Sequence, residues 1–194
     1  PHMKKLLSEI RSCTVCAPFL ELGPRPVIAA SPNSRIMIIG QAPGTSVHKT
    51  GIPWNDPSGK KLREWMAISD ELFYDPEVVS LMPMGFCYPG KGRSGDLPPR
   101  RECAPLWHQK LLAKMPGLKL TLLIGQYAQR YYLGNSAKTN LTETVRAYMD
   151  YSPTYIPLPH PSPRNRIWLK RNSWFEEEVI PELQKRISTI IRSD

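Results

Sequence analysis

Two apolar runs, each stopped by a glycine, constrain the fold of this chain more than anything else in it. "RIMIIG" (35–40) and "KLTLLIG" (119–125) are short and lack polar alternation, so each reads as a strand covered on both faces. The first empties into "QAPG" (41–44), the second into a helix from about residue 127. "VVSLMPM" (78–84) and "TYIPLPH" (154–160) read as two more strands. Between the strands lie helical stretches: 3–12, 56–68 with Leu62, Trp65 and Met66 in step, 102–114 with Leu106, Trp107, Leu111 and Leu112 on the inner side, and 174–191. Strands alternating with helices predict an α/β fold, a three-layer α/β/α sandwich around a central, mainly parallel four-stranded sheet. A ligand then sits beyond the carboxyl ends of the strands. That brings three loops to one place: 40–56, 125–127 and 160–166.

The 194 residues suit one domain, 1–194, in which Pro1 and His2 ahead of a methionine read as a tag remnant. No run of 18 apolar residues exists and no secretory signal is visible, so a cytoplasmic protein with no membrane partner is expected. Lys and Arg outnumber Asp and Glu by 26 to 17, which suits a polyanionic partner such as nucleic acid. Lys60, Lys61, Lys170 and Arg171 read as ordinary solvated charges, and His48 and His108 carry no argument from the sequence.

The loop after the first strand has three candidate occupants: a phosphate, a nucleotide cofactor, or a base drawn out of DNA. A phosphate loop needs Lys-Ser or Lys-Thr after its glycines, and 40–44 has no lysine in register. A dinucleotide site needs G-x-G-x-x-G, which "GQAPGTS" does not supply. The four cysteines fall as C-x2-C (Cys13, Cys16) and a pair with fifteen residues between them (Cys87, Cys103). In a cytosolic chain they read as metal ligands rather than disulfides. Zinc prefers paired knuckles, irregular thiolates also suit an iron–sulfur cluster, and spacing alone leaves the metal open.

Taken together these residues resemble the uracil-DNA glycosylase superfamily over nearly the whole chain, particularly its iron–sulfur branches. Those branches carry C-x2-C near the N-terminus and a later C-x15-C, as Cys13, Cys16, Cys87 and Cys103 do. Their first motif, G-E-A-P-G after a strand, is "GQAPG" (40–44) here, and the G-R-P-F-like segment is "GIPW" (51–54). Their last motif begins His-Pro, and "HPSPRN" (160–165) is similar to that of the single-strand-selective branch. The motif glutamate is replaced by Gln41, and Pro83 stands where many members place an asparagine that reads the pyrimidine edge. "DPSG" (56–59) lies near the place where the broad-specificity iron–sulfur branch carries its D-A-S-G aspartate.

The resemblance implies hydrolysis of the N-glycosidic bond of uracil or another deaminated base in DNA, by a monomer that flips the base into a pocket. It implies Asp56 as the anion facing the sugar, although Asp before Pro-Ser-Gly is also an ordinary helix cap. His160 would donate to the base carbonyl, and Gln41 would bind water or base. Gly40, Ala42 and Trp54 would line the base pocket, with Trp54 stacked on the base. Ser162, Pro163 and Arg164 would form a wedge into DNA. Lys91 and Arg93, in the basic loop "KGRSGDLPPRR" (91–101), would meet phosphates. The cofactor implied is a 4Fe-4S cluster, with zinc the alternative. Two other functions stay open: a binder, non-catalytic or trapping, of damaged DNA, and a general single-stranded nucleic-acid module.

Overall fold

A computed structural model describes residues 2–193; Pro1, half of the expected tag remnant, lies outside them. In chain order the elements are α1 (His2–Arg11), β1 (Ile36–Ile39), α2 (Thr45–Thr50), α3 (Pro57–Met66), α4 (Asp70–Phe73), β2 (Val79–Leu81), β3 (Lys91–Gly92), β4 (Gly95–Asp96), α5 (Gln109–Leu112), β5 (Leu120–Ile124), α6 (Gln126–Leu133), α7 (Leu141–Arg146), β6 (Tyr155–Leu158), α8 (Arg166–Arg171) and α9 (Ile180–Arg192). The central sheet has the order β2-β1-β5-β6. Every pairing in it is parallel, so the expected fold class holds. A separate antiparallel ribbon, β3–β4, stands where the sequence suggests a plain loop.

Alternation along the buried strands builds two cores. Ile36, Ile38, Leu122 and Ile124 face one side, where Leu62 and Met66 of α3 and Leu183 and Ile187 of α9 pack on them. Met37, Ile39 and Leu123 face the other, against Leu6 and Ile10 of α1, Leu111 of α5 and Ala128 of α6. A one-residue slip of β1 against β5 would exchange these sets, and the register Ile36↔Leu120 to Ile39↔Leu123 prevents it. Burying each such aliphatic side chain contributes roughly 1.5–3 kcal/mol.

Three boundaries differ from the sequence reading, each for a local reason. The second strand ends at Leu81 rather than residue 84, and Pro83, whose nitrogen points away from β1 between the bonded N–H groups of Met82 and Met84, is tolerated on this edge strand. The chain nevertheless stays tied to β1, with the Met84 N–H donating to the Gly40 carbonyl (2.9 Å) and the Gly85 N–H to Gln41 (3.0 Å). The helix expected over 102–114 is a π-helical turn, Ala104–His108, followed by α5. The wider turn rotates the face, so Ala104, His108 and Leu111 point inward, while Leu106 and Trp107 are half-exposed. The last helix likewise begins as a π turn, Phe175–Val179, before α9.

Candidate active site

A pocket opens beyond the carboxyl ends of β1 and β2. It gathers Gly40, Gln41 and Ala42 from the loop after β1, Trp54 and Asp56 from the segment before α3, and His160 from the loop after β6. All the residues expected to carry catalysis and base binding therefore meet in one cavity. Its remaining wall is apolar, with Val27, Val47, Leu81 and Pro83 prominent. The loop 125–127, expected to converge here, does not line it. Instead Gly125 (φ 83°) opens α6, and Gln129 turns back to donate to the carbonyls of Leu123 and Leu158 at the strand ends.

Trp54 occupies the left-handed region at φ 59°, where a bulky residue costs on the order of 1–3 kcal/mol. Arg63 on α3 donates to the Trp54 carbonyl (3.1 Å), and the Tyr74 hydroxyl donates to Pro53 (2.9 Å). Arg63 is itself paired with Asp70 at 2.8 Å and lies over the Phe73 ring. Gly59 lets α3 come close, since a Cβ there would stand 1.7 Å from the Trp54 carbonyl oxygen. The indole rests on Gly40, where a Cβ would fall 2.7 Å from its Cζ2, and its centroid is 5.7 Å from the His160 ring.

Asp56 caps α3, with Oδ1 accepting from the Gly59 N–H at 2.8 Å, and it also faces the pocket. The capping reading is thus observed, and the cap fixes in place a carboxylate that lines the pocket. Burial lowers the pKa of His160, and the nearby Asp56 charge partly opposes that shift. Asn165 donates to the His160 carbonyl (2.7 Å), and Ser162 Oγ accepts from the Arg164 N–H (3.2 Å), so the last motif braces itself.

His108, silent in the sequence, is fully buried and shapes the same wall. The Pro83 carbonyl can only accept, so His108 Nε2 donates to it (3.0 Å), and Nδ1 accepts from the Tyr132 hydroxyl (2.6 Å). Burial pushes the His108 pKa down to about 4, which keeps this neutral tautomer. Pro83 therefore shows the pocket a ring, with its carbonyl engaged behind it.

Lys91, Arg93, Pro163 and Arg164 are all exposed, and Ser162 is partly so. The ribbon lies beside the last motif and the loop after β1. Gly95 is approached by the Arg164 guanidinium, close enough that a Cβ would lie 3.1 Å from Nη1, and Gly44 faces Asp96.

The four cysteines are free and line a second cavity together with Pro24, Pro26 and Arg100. Burial, reinforced by the charges of the other thiols, pushes Cys87 up to about 11 and Cys103 up to about 12. Among the described residues no group of three or more His, Cys, Asp or Glu is drawn together to hold a metal ion. Beside the cavity Arg100 pairs with Glu102 (2.6 Å) and stacks on Phe19. Segment 24–27 joins the two cavities. Pro24 and Pro26 line the cysteines and Val27 lines the pocket, while Arg25 Nη1 donates to the carbonyls of His48 (2.6 Å) and Lys49 (2.8 Å).

Arg63, Tyr74, His108, Arg25 and Asn165 are the residues that sequence reasoning missed. Only Asn165 carried a signal, as part of the quoted last motif. In the comparison with known families, the model described as the uracil DNA glycosylase superfamily matches residues 28–184, a span that holds every pocket residue but Val27 and starts beyond Cys13 and Cys16.

Proposed function

The chain belongs to the uracil-DNA glycosylase superfamily, and from that premise we propose that it is a monomeric, monofunctional DNA glycosylase releasing uracil or another deaminated base. The observation that carries this reading is the meeting of Asp56, His160 and Trp54, from separate segments, in one pocket at the strand ends.

The base leaves the DNA stack and enters the pocket against Trp54, a stacking contact of about 1–3 kcal/mol. The C1′–N bond breaks with its electron pair passing to the base. Positive charge develops on the sugar and negative charge on the base. The Asp56 carboxylate faces the sugar cation and takes the proton of the attacking water, whose oxygen bonds to C1′. A neutral His160, favoured by burial, donates its N–H to the base oxygen as charge builds there. Gln41 has no carboxylate and orients the water or the base. Binding without cleavage is the competing reading, and it draws on that missing carboxylate; Asp56 in the pocket weighs against it.

The four cysteines are read as the ligands of a 4Fe-4S cluster, with a zinc ion as the alternative. A lone tetrahedral ion with bonds near 2.3 Å draws its sulfurs close together, whereas a cluster gives each thiolate its own iron. The four cysteines line one cavity. Cys13, Cys16, Cys87 and Cys103 would hold the cluster, and its contribution is structural, tying α1 to the Cys87–Cys103 segment and, through residues 24–27, to the pocket.

Asp56→Asn tests the chemistry. Asparagine keeps the cap and removes the charge, so single-turnover base release should fall on the order of 10²-fold or more with duplex binding unchanged. Full activity in Asp56→Asn beside a dead His160→Ala would return the aspartate to capping alone.

A further inference from the structure

We propose that Arg100 and Glu102, clamped beside Cys16, tune the reduction potential of the cluster held by the four cysteines, with Arg100 raising it and Glu102 lowering it. The inference rests on the cluster reading for the metal group, and on the side chains around Cys16 for the rest. Besides the cysteines, Arg100 is the only ionisable side chain among the described residues that line their cavity. Its guanidinium forks onto Glu102, with Nη2 donating to Oε1 (2.6 Å) and Nε to Oε2 (3.2 Å). The same Oε2 accepts from the Cys16 thiol at 3.5 Å, and Arg100 also hydrogen-bonds the Cys16 sulfur. The guanidinium lies over the Phe19 ring, 4.5 Å from its centroid. Phe19 ends a short helical turn, Ala17–Phe19, that Cys16 opens, while Arg100 and Glu102 stand just ahead of Cys103. The clamp thus joins the two halves of the ligand set.

The charges give the clamp a property that packing alone would not. The potential of an iron–sulfur cluster follows its net charge, the hydrogen bonds to its sulfurs and its access to solvent. Reduction adds one electron, hence one negative charge, to the cluster. A guanidinium beside Cys16 stabilises that charge, and its hydrogen bond draws electron density from the sulfur. The Glu102 carboxylate opposes both effects, since it repels the added charge and occupies two of the guanidinium's N–H groups. In the other direction, oxidation passes one electron from the cluster to an acceptor such as dioxygen, which becomes superoxide. A higher potential makes that loss harder, so Arg100 guards a structural cluster against air. Arg101 is exposed and lines a neighbouring groove rather than the cysteine cavity, so solvent screens its charge.

The test measures midpoint potential by voltammetry on full-length protein purified anaerobically, after iron and sulfide have been assayed. Arg100→Gln should shift the potential down and Glu102→Gln should shift it up, while Arg101→Gln should leave it near the wild-type value. In air, Arg100→Gln should lose iron faster than wild type and Glu102→Gln more slowly. A purely structural clamp would make both variants lose iron faster and would not split the potentials. If Arg100→Gln fails to hold iron, Glu102→Gln decides alone, because only the electrostatic role raises its potential. Shifts of the same sign, or no shift, in iron-loaded variants would overturn the assignment and leave the cluster standing. Wild-type protein with zinc and no iron would sink the cluster reading, and this assignment with it.

Discussion

His108 and His160 are both held below the ordinary histidine pKa by burial, but they respond to pH in different ways. For His108 the folded pKa is about 4 against an unfolded value near 6.5, so the unfolded chain binds more protons between these limits. Its contribution to stability is complete above the unfolded value and is lost as pH falls toward the folded one. The loss amounts to about 3 kcal/mol by pH 4. Urea unfolding at pH 7 and pH 4.5 should show this decline, and His108→Phe should flatten it while lowering stability at pH 7 by leaving the Pro83 carbonyl and Tyr132 hydroxyl unpartnered. At His160 the Asp56 charge acts against burial, so Asp56→Asn should lower the His160 pKa further, as read by NMR titration. An unchanged value would mean that the Asp56 carboxylate does not face the ring. Wild-type base release should accordingly show no histidine inflection at the ordinary value near 6.5.

At the scale of elements, the pocket is an assembly of loops held by α3 and the buried strands. The unfavourable Trp54 backbone is held by Arg63 and Gly59 of α3, while Tyr74, just past α4, holds the neighbouring Pro53 carbonyl. Gly59→Ala should force the helix and the Trp54 carbonyl apart and release the indole from Gly40. Thermal melts should fall, tryptophan fluorescence should change, and base release should drop although no reacting group is altered. An unchanged emission spectrum together with wild-type activity would contradict this support.

Strands β1 and β5 were legible because each is a continuous apolar run closed by a glycine, and the site residues were legible because short motifs follow those runs. Less was legible where long-range packing decides. Nothing local to His108 shows that a π-helical turn buries it against Pro83 and Tyr132. Nothing local to Arg63 shows that the fold sets it against the Trp54 carbonyl. The β3–β4 ribbon, with two residues in each strand, is too short to leave a periodic signal.

Over the whole molecule, two cavities share one segment, and this links the proposed cluster to the pocket. The family match begins at residue 28, so Cys13 and Cys16 belong to an N-terminal portion laid against the matched domain. Protein purified anaerobically should contain iron and sulfide and be brown. Removing the iron, or Cys103→Ser, should loosen residues 24–27 and raise hydrogen exchange in α2, whose C-terminal carbonyls Arg25 holds. Stoichiometric zinc without iron would contradict the cluster. Among the described residues no helix is long and apolar enough to cross a membrane. The excess of basic residues is carried in part by the ribbon, with Lys91 and Arg93, and by Arg164 of the last motif.

The central claim is that this pocket hydrolyses a glycosidic bond, and release of free base from DNA tests it most directly. Single- and double-stranded oligonucleotides carrying uracil, hypoxanthine or xanthine would be incubated in single turnover and nicked with alkali, with the freed base identified by mass. At least one substrate should yield free base and an alkali-labile site with the wild type, and that yield should collapse in His160→Ala. No release from any of the substrates, or release that survives loss of both Asp56 and His160, would contradict a hydrolytic role for this pocket.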